Sequence, residues 1–392
     1  MRGHGISRGH LVALLLVSGL FAATPARAGT THESRSVLAR RLPLLTRGIN
    51  VGWLNNPTFT LDRPVAEREA ALIRATGCRH IRLFLNVHAL EDPADSARPN
   101  PEKLPALDAA IRIALQHDLA VIVDPFHYGA HGAFVFPRPG TPGAERMVQF
   151  WAVLARHLAR FDPDRVFLEA ANEPKLPYPR EWYVTEVRLL KVMRRNAPND
   201  TLIAGYNLRA SPNDWDGIKA LTYFPVVADP DVVYDFHFYE PLTFTHQGAG
   251  WARIPAVRKL HGVPYPSSPS VIRPLLAEFT TPAEQAVLRR YGQQHWDRRT
   301  IFRRIDVAAR WAAEHHVHLI CDEFGVYGAF APPAARVAWI HDVRVTLEKL
   351  GIGWTIWNGS FGFLERKDGH FHLDVPVLHA LGLQVPPKPA AK

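Results

Sequence analysis

Along the chain, short apolar runs alternate with longer segments whose apolar residues recur at helical spacing. The runs Arg47–Trp53, Cys78–Leu85, Leu119–Asp124, Val166–Ala170, Thr201–Gly205, Val232–Phe238, Val317–Cys321 and Gly353–Trp357 read as strands, most of them apolar throughout as in strands covered on both faces. Between them, apolar spacing predicts helices over Pro64–Thr76, Leu104–His117, Ala144–Arg160, Glu181–Asn196, Arg298–His315 and Pro333–Leu350, less regular helical material after the fifth strand, and a short helix Val375–Leu381. A parallel neighbour needs a long crossover, so strands alternating with helices imply a parallel sheet. Eight such units predict an α/β fold of the (β/α)8 TIM-barrel type rather than an open doubly wound sheet. No glycine-rich phosphate loop follows the first strand, which argues further against a nucleotide fold.

One interval breaks the rhythm. Pro241–Gln294 separates the sixth strand from its helix by more than 50 residues, far beyond an ordinary connection. Rich in aromatics and prolines, this insertion at 241–294 lies on the face where barrels carry their sites, and reads as a wall or lid of a substrate cleft.

The N-terminus has another logic. Arg2 and Arg8 precede the apolar run Leu11–Ala23, and Ala26-Arg27-Ala28 follows, a pattern that predicts a signal peptide over 1–28 cleaved after Ala28. The run is too short to span a bilayer, which takes roughly 20 residues. A secreted or periplasmic protein without stable membrane insertion is expected, with residues 29–46 trailing over the surface and one folded domain over 47–385. The formal charge of +9 falls to about +6 once three arginines leave with the leader; much of the remainder sits on helical stretches, and no nucleic-acid motif accompanies it. Of the two cysteines, Cys78 opens its run and Cys321 ends another. A disulfide tolerates a Cα separation of only about 7 Å, so two buried free thiols are expected.

The chemistry collects at the C-terminal ends of the runs: Trp53, then Arg82 and Asn86, Asp124 and His127, Asn172 and Glu173, His237 and Tyr239, Asp322 and Glu323, Trp357 and Asn358. Glu173 and Glu323, three strands apart in an eight-strand ring, would face each other across the mouth. Glycoside hydrolysis needs such a pair, one carboxyl protonated to donate to the leaving oxygen and the other ionised to attack.

Asn172-Glu173-Pro174 after a fourth strand, His237-Phe238-Tyr239 after a sixth, Glu323-Phe324-Gly325 after a seventh and Trp357 after an eighth together resemble glycoside hydrolase family 5, the cellulase and mannanase family. The resemblance spans Arg47 to about Phe363. It implies that Glu173 is the acid/base and Glu323 the nucleophile, that Arg82 and Tyr239 hydrogen-bond the nucleophile, that Asn172 holds the sugar 2-hydroxyl, that His237 orients the acid/base end, and that Trp357 stacks under the sugar. One departure is evident. The family places a His two residues after the aspartate ending strand three, whereas Asp124 is followed by Pro125, Phe126 and only then His127. Either Phe126 replaces that His or the backbone brings His127 into its place; the reading adopted is His127.

In the insertion, Trp251 is expected to stack sugar rings, with His246 and Gln247 bonding hydroxyls; Trp53 and Tyr128 are further aromatic candidates. His127 and His131 have a spacing found in metal sites, but no His-Glu-x-x-His or clustered cysteines accompany them, so neither a metal nor another cofactor is expected. The expectation is a monomeric, retaining β-glycoside hydrolase acting on a polysaccharide or oligosaccharide, most simply an endo-β-1,4-glucanase. The alternatives are a β-mannanase, an exo-acting β-glucosidase on an exopolysaccharide, or a non-catalytic glycan-binding protein.

Overall fold

The computed structural model describes residues 37–126 and 136–387; the expected leader, residues 29–36, and His127, Tyr128 and His131 lie outside them. Eight parallel strands form a closed barrel: β1 (Arg47–Leu54), β2 (His80–Asn86), β3 (Ala120–Phe126), β4 (Val166–Glu169), β5 (Thr201–Ala204), β6 (Val232–Phe238), β7 (His318–Phe324) and β8 (Gly353–Ile356). Closure comes from β1, which pairs Ile49 with Ile81 of β2 on one side and with Ile356 of β8 on the other. The principal helices are α1 (Arg63–Ala75), α2 (Leu104–Gln116), α3 (Pro142–Leu158), α4 (Pro179–Asn196), α5 (Gly217–Leu221), α6 (Arg298–His315), α7 (Pro333–Lys349) and α8 (Val375–Ala380). Local chemistry starts them: Asp62, Thr141 and Asp297 accept backbone N–H groups at the heads of α1, α3 and α6, with a proline in the first turn of α1 and α3.

Inside the barrel, a period of two sorts side chains into layers. The lower layer is apolar. Ala120, Ile122, Phe167, Ile203, Val233 and Ile320 pack together with Leu38 and Leu45 from the segment before β1. Residues 37–45 therefore do not trail over the surface as expected; Leu42–Leu45 form a 3-10 turn that plugs the barrel floor, and Leu38, Arg41 and Leu45 are buried. One layer further up, β2, β3, β4, β6 and β7 contribute ionic groups: Arg82, Asp124, Glu169, Asp235 and Asp322, all buried.

The insertion is ordered. It carries helical turns at Leu242–Thr245 and Pro269–Ile272 and a full helix Pro282–Gln293, whose capping box joins Thr281 and Glu284. Phe244, Val257, Leu260, Tyr265, Leu288 and Tyr291 are buried, and Tyr265 ties it to α7 by donating to Asp342 (2.8 Å). Cys78 and Cys321 are buried free thiols; burial pushes Cys78 up to about 12 and raises Cys321 as well.

Candidate active site

Three local devices bring the polar groups to the mouth. First, the register between β6 and β7 slips between Phe236 and His237, so that Phe236 opposes Cys321 but His237 opposes Glu323, leaving Asp322 as an extra residue. Adjacent strand residues ordinarily face opposite sides; this bulge lets Asp322 and Glu323 both reach the interior. Second, Glu173 just past β4 sits at φ 45°, a left-handed conformation rare for a side-chain-bearing residue and a mark of functional sites. Third, Gly205 at the end of β5 packs so close that a Cβ there would lie 2.7 Å from the Ala171 carbonyl oxygen. Only glycine permits that approach.

Arg82, fully buried, is the hub. Its guanidinium donates to both oxygens of Glu169 (2.7 and 2.6 Å), to Asn50 (3.0 Å), to Asn172 Oδ1 (2.8 Å) and to Glu323 Oε1 (2.7 Å). It also pairs with Asp124 at 2.9 Å and lies 3.5 Å from Asp322. Glu323 receives a second donor on its other oxygen, the Tyr239 hydroxyl at 3.0 Å. His237 joins the two glutamates: its Nδ1 is 2.8 Å from Glu173 Oε1 and 3.4 Å from Glu323 Oε2, while its Nε2 lies 3.0 Å from Asp322. Asn172 turns its Oδ1 to Arg82, so its amide N–H groups remain for the cleft, which it lines.

These contacts set the protonation states. His237, which burial alone would lower, is held well above its ordinary value by Glu323, Asp322 and Glu173. Burial raises Asp124 to about 7 against the pull of Arg82, and burial with the Asp322 charge raises Asp235. Burial also lifts Glu323, while the hydrogen bond and field of His237 hold Glu173 below the usual carboxylate range against its burial. A carboxylate oxygen of one glutamate lies within 4.8 Å of the other's, so the two titrate as a unit whose proton belongs to the pair. The fixed donors distinguish the two carboxylates. Both oxygens of Glu323 accept from Arg82 and Tyr239, whereas among the described residues no side chain donates to Glu173 Oε2.

Two trios, Glu173 with His237 and Glu323, and Asp235 with His237 and Asp322, bring donor atoms close enough to hold one ion. His237 is the nitrogen in both.

Above the network opens a cavity of about 610 Å³ lined by Asn172, Glu173, His237, Tyr239, His246, Trp251, Glu323 and Trp357, among others. Trp357 stacks on Phe84 (4.9 Å between centroids) and approaches Phe126 (6.0 Å). Phe126, two residues after Asp124 on the inward face, lines the cavity itself. It stands where the family's histidine was expected; His127 lies outside the described residues. Trp251 is 62% exposed and meets Tyr327 edge to face, free to offer its ring to the cleft. His246, its Nδ1 against the Thr245 hydroxyl, is lowered to about 4 by burial and is neutral.

Two expected contributors are elsewhere. Gln247 is fully buried inside the insertion, donating to the Phe244 and Val263 carbonyls and accepting from the Val263 N–H; it organises the loop and cannot bond a sugar. Trp53 does not line the cavity, and its indole N–H donates to Glu69 (2.9 Å), as does Asn358 (3.2 Å). Conversely, Asp235 shares a strand face with His237 and was legible by alternation along β6, whereas Asn50, three positions before Trp53 on β1, was not. Lys175, Trp215 and Arg253 also line the cavity, and carry no such signal.

The model of the cellulase family, glycosyl hydrolase family 5, matches residues 42–362. The chain belongs to this family. As a family 5 member it is a β-glycoside hydrolase, and the two glutamates stand within its matched region. Endoglucanase 3 of Fibrobacter succinogenes is 22% identical over 83% of the chain, which spans about half of that relative's length; endoglucanase C of Acetivibrio thermocellus is 24% identical over 79% of the chain and 90% of its own. The endoglucanase Cel5A of Thermotoga maritima, also solved with mannotriose, shares the fold with a TM-score of 0.69 at 22% identity, covering 88% of this chain and 99% of its own. The Clostridial cellulose synthase subunit Z of Clostridioides difficile does so at 0.66 and 22%, with 86% and 99% covered. Among the described residues, no helix of this family 5 barrel is long and apolar enough to cross a membrane.

Proposed function

We propose that this family 5 hydrolase is an exported, retaining endo-β-1,4-glucanase working by double displacement. One observation carries the reading: two carboxylates approach within 4.8 Å, one gripped by two donors and the other open to the cleft. A retaining pair sits at about 5 to 5.5 Å, too close for a water between. Glu323, ionised and aimed by Arg82 and Tyr239, attacks the anomeric carbon as Glu173 gives its proton to the departing oxygen, forming a glycosyl ester. Glu173 then takes a proton from water, whose oxygen attacks the same carbon and frees Glu323. Asn172 holds the 2-hydroxyl, a contact that strengthens in the transition state. Trp357 lies under the sugar being cleaved, and His237 keeps Glu173 in line. The endoglucanase relatives support a β-1,4-glucan, and the leader pattern supports export.

The mature protein is incubated with soluble cellulose, lichenan, mannan and laminarin, and new reducing ends are counted. Rapid viscosity loss on soluble cellulose is expected, with the β-anomer first in the proton NMR spectrum. Preferential turnover of mannan moves the substrate to β-mannan, and binding without turnover leaves a glycan-binding protein. Glu323→Ala should be inactive and partly rescued by azide, yielding the α-glycosyl azide; wild-type activity in this variant removes Glu323 from the nucleophile role.

A further inference from the structure

The cavity is chemically lopsided. At one end stand Trp357, just past β8, and Phe126 of β3, with Phe84 of β2 stacked against Trp357. Across from β8 in the ring lies β4, and beyond it the charge is positive. Lys175 follows Glu173 by two residues, Trp215 comes from the segment after β5, and Arg253 from the insertion; all three line the cavity. Arg209 completes the group. Its guanidinium carbon lies 3.9 Å from the Trp215 ring centroid and that of Arg253 lies 4.2 Å from it, so the indole carries two stacked cations. Burial lowers the Lys175 ammonium, with Glu173 acting to raise it and Arg209 to lower it further.

Like charges this close repel, and local carboxylates are engaged elsewhere. Asp214 pairs with Lys219, and Asp216 and Glu240 both pair with Arg304. Among the described residues no carboxylate pairs with Arg209 or Arg253, and Arg209 Nε is buried without a hydrogen-bond partner. With guanidiniums laid on it, Trp215 is poorly placed to stack a sugar ring, and serves instead to hold two forked donors in fixed orientation, the geometry that grips a carboxylate. Since Glu173 protonates the departing oxygen, its side of the cleft receives the leaving group.

We propose that the leaving-group end of the cleft is an anion-recognising subsite built from Lys175, Arg209, Trp215 and Arg253, and that it takes a β-1,4-linked chain bearing a carboxylate there, as a C6-oxidised glucose unit does. The inference deepens the glucanase reading and rests on it for the direction of the chain. Neutral glucan still enters; a uronate on the leaving-group side binds and is cleaved better.

The test uses cello-oligosaccharides, unmodified and partially oxidised at C6, as matched probes. Binding is read by calorimetry on the Glu323→Gln protein, and turnover on the wild type in ¹⁸O-labelled water, which marks the glycone product and so reveals where the uronate sat. At low ionic strength the oxidised probe should bind about tenfold tighter, lose that advantage at high salt, and place its uronate in the unlabelled product. In Arg253→Gln, and independently in Lys175→Gln, the ratio of kcat/KM for oxidised over neutral probe should fall several-fold. Equal binding of the two probes, or a ratio that neither substitution moves, overturns the subsite. Preferential binding without cleavage of either probe keeps the anion site and instead sinks the hydrolase reading.

Discussion

Tyr239 and Arg82 grip the two oxygens of Glu323 from opposite sides, so each can be removed separately. Tyr239→Phe deletes one donor to an ionised group, worth about 1.5 to 3 kcal/mol, and kcat/KM should fall roughly tenfold to a hundredfold. The pH profile identifies the cause. A hydrogen bond to the charged form lowers a carboxyl pKa, so its loss raises that of Glu323, and the acidic limb of kcat/KM should move up by about one unit. An unmoved limb would assign the phenol to substrate contact alone. Residues of this kind are legible in sequence because a polar group ending a buried strand is costly unless it is paired. Gln247 shows the opposite case: an amide in a loop above a cleft reads as a ligand contact, yet here it satisfies backbone groups from Phe244 and Val263. Lys175, Arg209 and Arg253 were silent for another reason. Their meaning lies in shared proximity to one indole, which local pattern does not encode.

Strand order and helix spans follow directly from hydrophobic period, while strand ends depend on neighbours. The seventh run was expected to stop at Cys321; β7 continues to Phe324 because pairing with β6 resumes after the bulge. A bulge is a property of two strands, so one strand's pattern cannot announce it. Gly205 tests the same level. In Gly205→Ala the new methyl meets the Ala171 carbonyl at 2.7 Å, backbone against backbone, and must push Asn172 and Glu173 off their positions. Stability should drop by about 1 to 3 kcal/mol, and kcat should fall more than that loss explains, since a shift of about 1 Å at a catalytic group can cost a hundredfold. Thermal unfolding and kinetics measured on the same preparation separate the two effects; a normal kcat would detach Gly205 from the placement of Glu173.

At the scale of the whole barrel, an apolar floor lies beneath an ionic layer, and the two respond to pH in opposite senses. His80, sealed between the Leu44 carbonyl and the Thr355 hydroxyl, is lowered to about 4 by burial. Its folded value lies below the unfolded one of about 6.5, so the stability it confers is lost as pH falls from about 6.5 toward 4, by roughly 3 kcal/mol. The stability difference between wild type and His80→Gln should narrow by that amount over this window in urea titrations. Asp124, raised to about 7, has the reverse sign: its unfolded form gives up the proton near 4, so relative to Asp124→Asn the wild type should lose stability as pH climbs from 4 through 7. Parallel slopes for the two variants would contradict the layered arrangement.

The plug at the barrel floor has a consequence for the order of folding. Leu45 sits against Gly353, whose missing side chain would strike the Leu45 carbonyl oxygen, and the Trp354 N–H donates to Thr46. The floor turn is thus seated by the eighth strand, some 300 residues downstream, and the floor can be sealed only after almost the entire chain is available. Closure over so long a loop is slow. A polypeptide that emerges N-terminus first therefore remains open, and threadable, until its last strand arrives.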